Sequence, residues 1–175
     1  MRRTQLRKVD DFYVLSKEYC DYMETVTVDR AHLIPIMSYL VRIFDLALRL
    51  PQVKDRDYDQ ISYDREDGHP KYGVTENIEV PDTFWVVFSP DDNESICSFS
   101  VREALWELSG DLSDGNHMYE DGRPAAACFH WKTLFMHWGR HLLEVLVVFF
   151  NYETVGVEPE ESEECLCTEP EPRRC

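Results

Sequence analysis

Four segments of the chain repeat apolar residues at steps of three and four, and this spacing constrains the fold more than any other feature of the sequence. We expect the first helix to follow a capping aspartate, Asp10 or Asp11. The second follows Asp29 and ends at Pro51, and because of Pro35 it either begins near Leu33 or is kinked there. The apolar stripes of these two helices consist of Phe12, Leu15, Tyr19, Tyr22 and Met23, and of Ile34, Met37, Val41, Phe44 and Leu48.

Two further helices follow in the C-terminal half. The third opens with a capping-box pattern, Ser100 to Glu103. We expect this helix to break near residues 113–116, because Gly110 and Gly115 weaken the helix. Gly122 closes this helix, and Pro124 begins a fourth that runs to Tyr152, about 40 Å in length. The inward-facing residues of these helices are predicted to be Val101, Leu105, Leu108, Leu112, Tyr119, Leu134, Val145 and Val148.

The pattern predicts an all-α fold, a single four-helix bundle-like domain over residues 1–152 with a long acidic connection between helices 2 and 3. Within that connection, "TFWVVF" at 83–88 is the strand-like run. We expect it to be an unpaired extended segment that packs Phe84, Trp85 and Phe88 against the helices, and a two-stranded ribbon with residues 72–80 is the alternative. Residues 153–175 are rich in glutamate and proline and predict a disordered acidic tail.

The charge of the chain bears on its partners. With 34 acidic and 18 basic residues the net charge is −16, which disfavours nucleic acid and anionic membranes and leaves a basic protein as a partner. The most apolar run, residues 142–150, is too short to cross a bilayer, and no apolar signal-peptide core follows the N-terminal arginines. We therefore expect a cytoplasmic protein without a membrane or nucleic-acid partner. The sequence does not set the oligomeric state.

The candidate site lies in the last helix, in "MHWGRHL" at 136–142. His137 and His141 stand one turn apart, a spacing that helical zinc sites use, but Trp138 occupies the position where a zinc protease needs glutamate. A metal set of His137, His141 and His32 is similar to the three-histidine pattern of small damage-inducible and thiol-transferase bundles. The alternative is that the two histidines contact carboxylates or carbonyls of neighbouring elements, such as Asp111 or Glu107.

The candidate binding set consists of His137, Trp138, Arg140 and His141 of this motif together with Trp85 of the strand-like run. Arg140 can clamp a carboxylate, either on a ligand or, as we favour, an internal one such as Asp111 or Asp45. The tryptophans are interpreted mainly as core residues. Gly139 allows a close approach by another element such as "FWVVF".

Several classes of chemistry have no pattern in the sequence. The seven glycines form neither a dinucleotide-binding turn nor a phosphate loop. Cys20, Cys97 and Cys128 stand alone in segments that look ordered, where a thiol is usually a small buried apolar group. The pair Cys165 and Cys167 lacks a second ligand pair at zinc-site spacing.

The order of four motifs resembles a known family: "FDLALRLP" at 44–51, "FWVVFSP" at 84–90, "DLSDGNHMYEDG" at 111–122 and "HWKTLFMHWGRHLLEVL" at 130–146. Over about residues 10 to 150 the chain is similar to a bacterial family of uncharacterised proteins, domain of unknown function 5063. The resemblance implies a small, acidic, helical protein and no established activity. The chain departs from the family pattern at Ser89, where members have aspartate, and in its acidic cysteine-containing tail.

We therefore predict a non-catalytic protein-interaction module, an adapter or an immunity-like inhibitor, which needs no cofactor. The alternative is a metal-dependent enzyme that coordinates zinc or another divalent ion through histidine on a small helical bundle. The sequence leaves open whether the chain catalyses a reaction.

Overall fold

The structure, a computed structural model, describes residues 1–53, 78–80, 83–87 and 96–155, with residues 83–87 and 96–99 described through the backbone only. Five α-helices make up most of it, and the all-α class is confirmed. Their bounds are α1 Arg3–Met23, α2 Leu33–Arg49, α3 Val101–Glu120, α4 Pro124–Thr133 and α5 Phe135–Val155. Two strands, β1 Thr83–Val87 and β2 Ile96–Ser100, form an antiparallel ribbon.

Helix α1 begins earlier than its apolar stripe predicted. It starts at Arg3, where the Gln5 side chain accepts the N–H of Arg2 at 3.0 Å, so neither Asp10 nor Asp11 is a cap. Residues 3–8 are mostly polar and face solvent, which explains why an apolar period does not detect them. The stripe itself is confirmed, with Phe12, Leu15, Tyr19 and Met23 buried.

Helix α2 begins where its cap places it. The Asp29 carboxylate accepts the N–H of His32 at 3.1 Å, a 3₁₀ turn covers Arg30–His32, and α2 starts at Leu33 with Pro35 in its first turn. The predicted stripe is wrong by one residue, because both faces of α2 are apolar and spacing alone does not choose between them. The buried residues are Leu33, Ile36, Leu40, Ile43 and Ala47.

Helix α3 is continuous, so the predicted break near residues 113–116 is wrong. The Ser100 hydroxyl accepts the N–H of Glu103 at 3.1 Å, which confirms the N-terminal cap. Gly115 does not interrupt the helix because its missing side chain makes room for Trp131 of α4. Gly122, with φ of +75°, follows the end of α3, and Pro124 opens α4, as predicted.

The predicted fourth helix is two helices, α4 and α5, which meet at Leu134 with a bend of 62°. The Trp138 indole N–H donates to the carbonyl of Trp131 at 3.0 Å, so a side chain satisfies a carbonyl of the last turn of α4. Trp131 and Trp138 are both fully buried on either side of the bend. A period of 3.6 residues continues across Leu134 and therefore does not detect the bend.

The strand-like run is paired, which corrects the expectation of a single extended segment. Thr83 is opposite Ser100 and Val87 is opposite Ile96, and β2 runs directly into α3. The ribbon partner is thus residues 96–100 and not 72–80. Of that predicted partner, residues 72–77 lie outside the described residues, and Ile78 forms a parallel bridge with Val28.

The core lies where α1, α2, α3 and α5 meet. α1 packs against α2 and α3, α5 packs against the same two helices, and α4 covers α3. Phe12 is at the centre, with ring centroids 4.8 Å from Trp131 and 6.1 Å from Trp138. Of the residues predicted to face inward, Tyr22, Met37, Phe44, Tyr119 and Leu134 are half-buried, and Ile34, Val41 and Leu48 are exposed. The buried members are Phe12, Leu15, Tyr19, Met23, Val101, Leu105, Leu108, Leu112, Val145 and Val148.

Two predictions of organisation fall partly outside the described residues. The acidic connection lies largely in residues 54–77 and 88–95, so its path and the bundle arrangement around it stay predictions. α5 includes Glu153 to Val155, and the rest of the predicted tail, residues 156–175, lies outside the described residues.

Within the described residues, the segment Arg30–Arg49 is long and apolar enough to cross a membrane, and the bent pair α4–α5 passes the same test when taken as one span. Core helices of soluble proteins also pass this test. In the segment Arg30–Arg49, Leu33, Ile36 and Leu40 are fully buried against other helices. Cellular location therefore stays a prediction.

Candidate metal centre

Two helices bring the candidate site together. α3 carries Glu107 and Asp111 one turn apart, and α5 carries His137 and His141 one turn apart. The helices pack side by side and antiparallel, because His137 contacts Asp111 while His141 contacts Glu107. Since residues four apart share a helix face, the two pairs face each other across the interface.

Three ligand atoms converge at its centre. Oε2 of Glu107 lies 2.8 Å from Nε2 of His141 and 3.4 Å from Nε2 of His137. The ligand atoms of these three residues all lie within 4.8 Å of one another. An ion at the usual zinc–ligand distance of about 2 Å would therefore reach all three after small side-chain movements.

The other nitrogen of each histidine faces a second carboxylate. Nδ1 of His137 lies 2.9 Å from Oδ2 of Asp111, and Nδ1 of His141 lies 3.3 Å from Oε2 of Glu144. At His137 the hydrogen bond between Nδ1 and Asp111 is the shorter contact, which favours the proton on Nδ1 and leaves Nε2 as a lone-pair donor. At His141 the nearer carboxylate is Glu107 at Nε2, so a metal ion there would replace the Nε2 proton. The arrangement therefore orients both Nε2 atoms toward Glu107.

The centre is open on one side. The His137 side chain is 53% exposed, whereas those of His141 and Glu107 are 20% and 29% exposed. Asp111 and Glu144, which flank the histidines, are exposed by only 15% and 14%. Solvent or a small ligand can therefore approach along the His137 side, while the supporting carboxylates are largely enclosed.

The backbone of α3 at Asp111 is held in place by contacts with α4. His130 of α4, buried in the core, lies with Nε2 3.2 Å from the carbonyl oxygen of Asp111. The Trp131 indole donates to the carbonyl of the next residue, Leu112, at 3.0 Å. α4 thus fixes the turn of α3 from which Asp111 reaches His137.

The prediction that His137 and His141 contact Asp111 or Glu107 is confirmed. The prediction that His32 completes a three-histidine set is wrong in geometry. Nδ1 of His32 lies 2.6 Å from Asp29, at the end of α2 that is joined to the end of α5 by the Arg30–Glu153 ion pair. Twelve residues of helix separate that end from His141, about 18 Å, and Glu107 takes the third position instead.

The remaining predicted residues have other contacts. Trp138 is fully buried and serves the core. Arg140 forms an internal ion pair, as favoured, but with Glu144 at 2.8 Å and not with Asp111 or Asp45. A side chain at Gly139 would meet Phe135 of its own helix at 2.9 Å, not the strand. Trp85 is described through its backbone, opposite Ser98.

Sequence reasoning named Glu107 as a contact but not as a ligand, and it missed Glu144. The signal was present as two spacings: Glu107 and Asp111 at i, i+4 on α3, and Glu144 three residues after His141. These spacings indicate a shared site only if α3 and α5 are neighbours and are aligned so that Glu107 is opposite His141. The spacing within each helix does not contain that information.

Thiol chemistry is disfavoured at the two cysteines whose side chains are described. Burial raises the pKa of the Cys20 thiol to about 12 and that of the Cys128 thiol to about 11. Both are buried, as expected for small apolar groups, and both stay protonated near neutral pH.

Comparison with known proteins gives a family. No curated protein and no solved structure matched the chain. A family model matched residues 5–151, which include every helix residue of the metal centre, and this confirms the resemblance that the motif order indicated. The chain belongs to the DUF5063 family, whose members share a domain of unknown function.

Proposed function

We propose that this protein binds a divalent transition-metal ion through Glu107, His137 and His141. The observation that carries the proposal is the convergence of two imidazoles and one carboxylate, which each offer a ligand atom within 4.8 Å of the others, with both Nε2 atoms facing Oε2 of Glu107. Two histidines and one carboxylate are a recurring set for zinc, iron, cobalt and nickel.

The electrostatics of the cluster favour a cation at this point. Among the described residues, Glu107, Asp111 and Glu144 surround two imidazoles, and Arg140 pairs with Glu144 at 2.8 Å. Oε2 of Glu107 faces both Nε2 atoms, at 2.8 Å and 3.4 Å, and such facing lone pairs are unfavourable without a proton or an ion between them. A metal ion relieves this repulsion at all three atoms together.

Three protein ligands and an exposed edge favour a reactive site over a structural one. Structural zinc sites are closed by four protein ligands, whereas catalytic sites keep a position for water or substrate. The bound ion would supply Lewis acidity toward an oxygen ligand on the His137 side. Asp111 is a positioning residue, because its hydrogen bond to Nδ1 fixes the orientation of His137, and Glu144 lies 3.3 Å from Nδ1 of His141.

The test is metal binding by the purified full chain. We expect calorimetry and elemental analysis to show one equivalent of Zn²⁺ or Co²⁺ bound per chain. The visible absorption spectrum of the Co²⁺-bound chain should indicate that the ion has a low coordination number. Glu107→Gln and His137→Ala should each weaken binding at least about tenfold, since each removes one of three ligands. His117→Ala is the matched control, because His117 is an exposed histidine of α3 outside the cluster.

Two results would contradict the proposal. One is a parent chain that binds no metal at stoichiometric level. The other is binding that the Glu107 and His137 variants leave unchanged, which would assign the metal to other residues and leave the cluster as an ion-pair network.

A second candidate function, interaction with a basic protein, is favoured by the acidic balance of α3, which carries five carboxylates and one arginine. Glu103 and Glu120 are exposed on α3, and Asp11, Glu18 and Asp21 are exposed on the neighbouring α1, whose first turns also expose Arg3, Arg7 and Lys8. Such a surface accelerates association with a basic partner in a salt-dependent way. Affinity capture should recover partners more basic than background and lose them at high salt, and capture insensitive to salt would count against this candidate.

A further inference from the structure

Two helices carry apolar stripes that face away from the core. On α2 the exposed side chains are Ile34, Val41 and Leu48, each between 55% and 61% exposed. On α5 they are Met136, Leu143, Val147 and Phe150, between 46% and 84% exposed. Spacings of seven residues, 34–41–48 and 136–143–150, make each stripe run straight along its helix.

The two stripes belong to adjacent helices. The Phe44 and Phe135 ring centroids are 5.4 Å apart, and Arg30 lies 3.8 Å from Glu153, so α2 and α5 pack antiparallel. Ile34 therefore lies at the same end as Phe150, and Leu48 at the same end as Met136. By the 100° rotation per residue, the α2 stripe lies roughly 40° to 80° and the α5 stripe roughly 60° to 120° outward from Phe44 and Phe135, which join the two helices. Together they form one face, called here the α2–α5 face.

The area of this face is large for a monomer. Seven side chains that are about half or more exposed present on the order of 100 Å² each, which gives roughly 700 Å² of mostly apolar surface. The largest apolar patch of a typical monomer measures about 300–600 Å². One side of a stable dimer interface buries about 800 Å², so the face is close to that size.

Charge points to the partner. The whole chain carries −16, but α2 has only Arg42, Asp45 and Arg49 as charged residues, and Asp45 and Arg49 pair at 2.7 Å. The charged residues that share the faces of the stripes, Asp45 on α2 and Arg140 on α5, each pair within their own helix, with Arg49 and Glu144. The face thus offers a basic partner no unpaired carboxylate, and two copies of this chain would meet there mainly through apolar side chains. We propose that the α2–α5 face is the interface of a homodimer.

Other occupants fit this face less well. In residues 54–77, which leave the C-terminal end of α2, eleven of 24 residues are charged and the aliphatic ones are Ile61 and Val74. The β1–β2 ribbon packs mainly against the start of α3. Membrane-surface helices border their apolar face with lysine and arginine, whereas on α2 only Arg42 lies outside the Asp45–Arg49 pair.

The experiment measures the mass of the full chain in solution. Sedimentation and light scattering should give a concentration-dependent mass that approaches twice the 20.7 kDa of one chain. The double variant Val41→Glu/Leu143→Glu places two carboxylates at the centre of the face and should raise the dissociation constant at least about tenfold. Val14→Glu is the matched control, because Val14 is 52% exposed on α1 and lies outside the face.

Circular dichroism and melting show whether each variant is folded, and Val41→Gln/Val147→Gln is a milder replacement if the first is not. A parent chain that stays monomeric up to about 100 µM overturns the proposal. So does a dimer that the face variants leave intact, or one that Val14→Glu disrupts equally. Flotation of the parent with neutral phosphatidylcholine vesicles, abolished by the face variants, would assign the face to a membrane surface instead.

Discussion

At the scale of single residues, the closest packing at any described glycine is between Gly115 and Trp131. A Cβ at Gly115 would lie 2.0 Å from Nε1 of Trp131, whose ring is fully buried and whose N–H donates to Leu112. The ring cannot move without breaking that hydrogen bond and displacing Phe12, 4.8 Å away. The sequence pattern predicts a helix break at Gly115, because residue spacing does not show which neighbouring side chain occupies the space that a glycine leaves.

Gly115→Ala should therefore destabilise the fold. We expect a loss of about 3 kcal/mol in the free energy of unfolding from overpacking, or roughly 6–12 °C in melting temperature. Gly110→Ala is a control in the same helix, since nothing lies within 4 Å of a Cβ there, and it should be neutral or stabilising by up to about 1 kcal/mol. Equal melting temperatures for the two variants would contradict the packing argument.

At the scale of the elements, the sequence predicted helix identity well and the buried face of α2 poorly. Helix ends with a chemical signal were found: Asp29 before α2, Ser100 before α3, and Gly122 with Pro124 between α3 and α4. The buried face of α2 was missed, because the stripe beginning at Ile34 and the one beginning at Leu33 are both apolar.

Helix α2 is apolar on two faces, and the described core covers one of them. A helix that is apolar on two faces either lies deep in a core or has a second packing partner. α2 buries Leu40 completely and exposes Val41, so its second face is not accounted for by the described core. The stripe identified from the sequence is therefore a real feature of α2, and its place is on the proposed dimer interface.

At the scale of the whole molecule, long-range pairings determine both the core and the candidate site. Glu107 and His141 are separated by 34 positions in sequence and meet at 2.8 Å only because α4 turns the chain back along α3. The bend of 62° between α4 and α5 sets that register, and no local pattern predicts it. The pair of histidines could be found from the sequence, but Glu107, the third ligand of the proposed metal site, could be identified only from the fold.

This dependence couples the site to global stability. His141 is mostly enclosed between Glu107 and Glu144, so removing both histidines leaves carboxylates facing one another across the α3–α5 interface. We expect His137→Ala/His141→Ala to lower the melting temperature by several degrees even in the presence of a chelator.

Added metal separates the structural part of this effect from the metal-binding part. At a free ion concentration one hundred times the dissociation constant, binding to the native state stabilises it by about 2.7 kcal/mol, or roughly 5–10 °C for a chain of this size. Zn²⁺ should therefore raise the melting temperature of the parent and of His117→Ala, but not that of the double variant. If the double variant melts like the parent in chelator and lacks only the metal-induced rise, the histidines serve metal binding alone. If it matches the parent under both conditions, the cluster neither stabilises the fold nor binds the ion, and the proposed function is wrong.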